Sequence, residues 1–143
     1  MPPPDQLMIS QSLFLLKCKG GHMGQDTTVF AAYRWNDTEI DVVKGQAISI
    51  AAQGRWVDSS ISATPDGFER PWLDPVQWLR RLPSAPWFCL CATVGQMKRP
   101  IHRIGSAGAF IADRDGRLYL FANDAWLFYF NNKGSIRASI EVA

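Results

Sequence analysis

Apolar and polar residues alternate in short runs along most of this chain, and Gly, Pro, Asn or Asp cuts the runs every few residues. Residues 27–35 are rich in β-branched and aromatic side chains and read as a strand. Asn36-Asp37 reads as a turn. Ile40 and Val42 then alternate with Glu39 and Asp41, Lys44-Gly45 turns the chain, and residues 47–52 alternate again before Gly54 and Trp56, with Trp56 placed to cover a core edge. Residues 57–72 are turn-rich and predict a long surface loop. Asp74-Pro75 has the form of an N-cap followed by proline at the first helical position, which predicts one short helix over 75–82. Residues 87–95 are apolar throughout, the pattern of a buried strand. Short strands follow over 101–105, 107–112 and 118–121, with Asp113-Arg114-Asp115-Gly116 as a hairpin signal. The last run places Ile136, Ala138, Ile140 and Val142 on one face. About eight short strands with one helix predict an all-β, antiparallel sandwich.

Residues 1–26 break this pattern. They open Pro-rich, carry the apolar run Leu13-Phe14-Leu15-Leu16 and end in a glycine-rich tract. The run suits an added strand or a packed arm. Gly21-His22-Met23 has the form of an expression scar, which would make part of 1–26 foreign. The expected division is an N-terminal extension over 1–26, with the domain starting near Gln25 and the sandwich over 27–143.

At 143 residues the chain has the length of one domain, since about 100–200 residues per domain is usual. With 47% hydrophobic and 20% charged residues it reads as globular. A net charge of +2 with scattered basic residues gives no footprint for nucleic acid. The longest early apolar run is too short to span a bilayer. Cys18, Cys89 and Cys91 make no even disulfide framework, and no secretory signal opens the chain. A reducing, cytoplasmic location is therefore expected, compatible with release by a non-classical route. Cys89 and Cys91 read as small buried hydrophobes on one face of a strand.

The densest chemistry lies over 116–136. Asp124 is followed seven residues later by Asn131-Asn132, with the aromatic connection 125–130 between them. Oxygen-bearing side chains flanking one loop suit either ordinary turn chemistry or a cup for a hard cation or polyol. Trp126, Phe128, Tyr129 and Phe130 have three readings: core residues of a strand, a face for a protein partner or homo-oligomer, or a surface that stacks on a sugar ring. No catalytic triad, metal-ligand cluster or phosphate loop is recognisable, so an enzyme is not expected.

The order of these motifs resembles the calcium-dependent galactophilic lectins of bacteria. The matching residues are Trp35, Asp37-Thr38-Glu39-Ile40, Val43-Lys44-Gly45-Gln46, Ile48-Ser49-Ile50, Ala52, Gly54, Trp56 and Asp66-Gly67. Val94-Gly95, Ile104-Gly105, Gly116-Arg117-Leu118-Tyr119-Leu120, Asn123-Asp124 and Asn131-Asn132-Lys133-Gly134-Ser135 continue the match, which covers about residues 27–142. The resemblance implies a galactose-binding-domain-like jelly-roll sandwich and a non-catalytic domain that binds a galactoside through calcium. It implies side-chain ligands at Asp124, Asn131 and Asn132, a backbone carbonyl from Phe128 and a second from near Ser59. Asp124 and Asn131 would also touch the sugar, and Trp126 could stack on it. The chain departs from the family in its bulky 125–130 loop. It also lacks the family's sugar-contacting His and Gln: residues 57–86 hold no His, and Gln77 is their only Gln. A metal-free protein-interaction domain using residues 125–130 is the alternative.

Overall fold

The computed structural model describes residues 24–143. Most of the expected 1–26 extension, with its apolar run, Cys18 and His22, lies outside them. Among the described residues, strands β1 (Gln25–Phe30), β2 (Asn36–Val42), β3 (Ala47–Asp58), β4 (Ile61–Ala63), β5 (Leu90–Val94), β6 (His102–Arg103), β7 (Ala107–Ile111), β8 (Gly116–Ala122) and β9 (Asn132–Val142) form two antiparallel sheets. The larger runs β1-β9-β3-β4, and the smaller runs β2-β8-β5-β6. The free edge of β3 is shared: β7 pairs with Ala47 to Ala51, and β4 with Trp56 to Asp58. The expected all-β sandwich is the fold observed.

Side chains two apart on a strand share a face, and the alternation in β3 and β9 uses this directly. Ile48, Ile50, Ile136, Ala138 and Ile140 join Leu118 and Leu120 of β8 and Leu90, Ala92 and Val94 of β5 in one core. Trp56 lies fully inside that core rather than at its edge, and its indole N–H donates to the Phe88 carbonyl at 3.1 Å. Cys89 and Cys91 are buried free thiols. Gly67 is required by packing as well as by its φ of +81°. A Cβ there would fall on the Trp87 carbonyl and 2.7 Å from the Cys89 nitrogen.

The pattern of the sequence misplaces several elements. The strand expected over 27–35 ends at Phe30, where Tyr33 N–H turns back to the Phe30 carbonyl. Asn36-Asp37 opens β2 instead of forming a turn. The loop expected over 57–72 is shorter, because β3 continues to Asp58 and β4 follows after two residues.

The helix expected over 75–82 is a 3-10 segment, Pro71–Leu79. Pro71 starts it early, Pro75 inside it supplies no N–H, and it buries no residue that would hold an α-helix against the sandwich. A second 3-10 segment covers Trp126–Asn131.

Asn36 joins the sheets. Its side-chain oxygen accepts from Phe30 N–H at 2.8 Å, and its amide donates to the Phe30 and Leu120 carbonyls, each at 3.0 Å. Truncation would remove the side-chain partner of the Phe30 N–H and of the buried Leu120 carbonyl. Asn36→Ala should cost about 2–3 kcal/mol. Urea denaturation checks this as a lower midpoint with an unchanged slope.

Candidate functional site

Two distant segments converge at one end of the β3–β9 ladder. The last pair of that ladder is Asp58 with Asn132. Just beyond it, Ser59 N–H donates to the Asn131 carbonyl at 3.1 Å. Asp58 pairs across the hairpin with Ile61, leaving Ser59-Ser60 as a two-residue connection, and Ser59 takes a positive φ of 55° to close it. Ser59 therefore stands beside Asn131 and Asn132, close to where the sequence placed it.

Asp124 enters from the end of β8. Asn123 fixes this exit. Its oxygen accepts from Leu82 N–H at 2.9 Å, and its amide donates to the carbonyls of Leu82, Ala85 and Pro86. The Asp124 carbonyl accepts from Arg81 N–H at 3.1 Å, and Ala125 forms a bridge with Arg80. Sequence reading gave Asn123 no role of its own, because an Asn after a strand looks like turn chemistry until its partners are known.

Several side-chain acceptors on these residues lack a partner. Asp124 is 2% exposed. One carboxylate oxygen accepts from Ala125 N–H at 2.7 Å, and the other has no partner. Asn132 gives its amide N–H to the Ala31 carbonyl at 3.0 Å, which fixes the amide orientation and leaves its oxygen bare. The Asn131 oxygen is also buried and bare. Among the described residues, three of the six buried side-chain polar atoms without a partner lie on Asp124, Asn131 and Asn132. Each such acceptor costs about 1–3 kcal/mol when left unsatisfied.

Charge sharpens the arrangement. Burial is the main force that pushes the Asp124 carboxyl up to about 7. The charge of Asp58 adds to the rise, while Ala125 N–H and the nearby Asn132 amide, which is beyond hydrogen-bond reach of the open carboxylate oxygen, oppose it. Burial also raises the Asp58 carboxyl. Sequence reading passed over Asp58 as part of a turn-rich loop, yet its charge acts on Asp124.

The donor set is oxygen alone. No group of three or more His, Cys, Asp or Glu side chains clusters among the described residues. Two carboxylates, two amide oxygens and neighbouring carbonyls suit a hard cation such as calcium, which takes six to eight oxygens, and do not suit a thiolate-loving metal.

The loop between these residues differs from its first expectation. Trp126, Phe128, Tyr129 and Phe130 are not core residues of a strand. The loop forms 3-10 turns that bury Tyr129 and leave Trp126, Leu127, Phe128 and Phe130 exposed. The turns meet at a kink at Phe128, and no residue of the loop takes a positive φ, so its bulky side chains fit without left-handed strain. Trp126 is half exposed, packs edge-on against Trp35 at 6.0 Å and accepts from Arg34 at its carbonyl.

No family model matches this chain, and no curated protein matches it. Among solved structures it is similar to the EclA N-terminal domain, described as a PllA-like lectin. The match has a TM-score of 0.65 at 18% identity and covers 87% of this chain and 99% of that one. The likeness is one of fold: this sandwich is built as that lectin domain is.

A titration follows from the buried carboxyl. Folded Asp124 keeps its proton up to about pH 7, whereas the ordinary value is 3.8. Folding takes up a proton between these values, so metal-free stability should fall as pH rises from about 4 to 7 and then level off. The loss is at most about 1.4 kcal/mol per unit of the gap. Denaturation midpoints in chelator at pH 5 and 8 should differ less in Asp124→Asn than in the parent. Equal differences would contradict the assignment.

Proposed function

We propose that this chain is a non-catalytic, lectin-like carbohydrate-binding domain that holds calcium and binds galactose-type sugars through it. The observation that carries this reading is the set of three buried, partnerless acceptor oxygens on Asp124, Asn131 and Asn132. A cation supplies the positive charge that the protein does not place there. The side chains of Asp124, Asn131 and Asn132 would hold it, with backbone carbonyls from Phe128 and the Ser59 turn. Bound calcium would attract neutral vicinal hydroxyls, which need no general base to coordinate. The lectin fold of the similar structure supports the carbohydrate part of the reading.

Asp58 and Asp124 together bring two carboxylates, only one of which sequence reading assigned. Ionising Asp124 against its raised proton affinity draws on the binding energy, so calcium affinity should weaken below about pH 7.

A second reading rests on the exposed side chains of Trp126, Leu127, Phe128 and Phe130. They suit a metal-free contact with a protein partner or a second copy of the chain. A glycan array run with calcium and with chelator separates the two. Galactoside signals that vanish in chelator, and fall at least about tenfold in Asp124→Ala, support the lectin reading. Binding of a protein partner that ignores chelator and is lost in Trp126→Ala supports the second.

A further inference from the structure

A cavity of about 600 Å³ lies on the outer face of the smaller sheet. Trp35 and Trp126 form part of its wall, and Gln96, Lys98 and Arg99 from the β5–β6 connection form another, with Arg81 between. Its size falls within the usual range for small-ligand sites, about 300–1,000 Å³. No acidic residue lines it, while three cations do.

Arg81 is the fixed member. Its guanidinium lies 3.4 Å from the ring centroid of Phe121, a buried residue of β8, and 4.3 Å from that of Trp35. One guanidinium nitrogen donates to the Arg34 carbonyl at 2.7 Å and to the Tyr129 hydroxyl at 2.9 Å. No carboxylate pairs with it among the described residues. Arg34 adds a further cation, 5.1 Å from the Trp126 ring centroid. Burial pulls the Arg81 guanidinium below its ordinary value, and the charge of Arg34 acts in the same direction. A half-buried cation held by neutral groups among like charges is relieved by an anion.

We propose that this cavity binds the acidic group of an anionic sugar, a carboxylate or a sulfate ester, with Arg81, Lys98 and Arg99 taking its oxygens and Trp126 taking the sugar face. Arg and Lys are the side chains that bind such oxoanions, Arg through a planar fork. A half-exposed indole suits the apolar face of a pyranose. The sugar part of this proposal rests on the lectin reading, while the anion part stands on the cavity alone. The cavity adjoins the candidate calcium site, since Arg81 N–H holds the Asp124 carbonyl and Trp126 follows two residues later. One acidic glycan could thus reach both.

The test is a tryptophan-fluorescence titration of the full chain in chelator, so that the calcium reading plays no part. The probes are methyl galactoside, galacturonate, galactose 6-sulfate and inorganic sulfate. An acidic sugar should bind at least about tenfold more tightly than methyl galactoside and weaken as salt rises. Whichever acidic sugar binds better identifies the acid as carboxylate or sulfate ester. The double variant Lys98→Ala/Arg99→Ala, at exposed positions outside the core, should weaken acidic sugars and leave calcium-dependent galactoside binding unchanged. Arg81→Gln should weaken them further, with its denaturation midpoint measured alongside. Asp124→Ala should leave the acidic-sugar titration intact, which separates failure of this proposal from failure of the lectin reading. Acidic sugars binding no better than methyl galactoside, or inorganic sulfate binding as tightly as either, would overturn the proposal. So would a double variant that binds them unchanged.

Discussion

The pairing of β3 with β9 is the constraint on which the rest of this protein depends. It runs without interruption from Ile48 opposite Val142 to Asp58 opposite Asn132. Its middle buries Ile50, Ile136, Ala138 and Ile140 in the core. Its end sets Asn131 and Asn132 beside the Asp58-Ser59 turn. A one-residue slip would send those apolar side chains to the opposite face, so the core enforces the register. The same register then fixes the polar end with no separate device. Packing and site geometry are two ends of one ladder.

The second half of the site needs a different anchor, because Asp124 belongs to the other sheet. Asn123 supplies it by taking up backbone groups of Leu82, Ala85 and Pro86. The 80–86 segment is thereby drawn over the outer face of the smaller sheet, and Arg81 is laid on Phe121. The placing of the Asp124 carboxylate and that of the unpaired cation therefore both follow from one clamp. On one side it gathers acceptors that lack a positive charge. On the other it holds a guanidinium that lacks a negative one. Both imbalances are costly in a stable domain, and both are what a ligand of opposite charge would relieve.

The sequence was most legible where one face of a strand is buried. The alternation in β9 reads directly as a strand, and the apolar run expected over 87–95 does so from Leu90 to Val94, after a turn in which Phe88 takes a positive φ of 63°. Irregular segments read poorly. The nine-residue segment beginning at Pro71 carries helix-start signals, yet it has no buried stripe and so never becomes an α-helix. The 125–130 loop looks like core by composition, but residues that follow the Asn123 clamp do not continue β8, and only Ala125 and Tyr129 are buried. Asp124, Asn131 and Asn132 were legible as a group because the oxygen types sit at the two ends of one loop. Asp58 was not, because its place beside Asn132 depends on a pairing between residues far apart in the chain. The cationic cavity was hidden for the same reason: Arg81 and Lys98 meet only after the sheet has formed.

Calorimetric titration of calcium into chelator-stripped protein tests the central claim most directly. The account predicts one ion per chain, with a Kd of about 10⁻⁴–10⁻³ M, as suits a site with few charges. It also predicts that the heat disappears in Asp124→Ala. Absence of calcium uptake at millimolar concentrations by the folded protein, or uptake that survives Asp124→Ala unchanged, would contradict it.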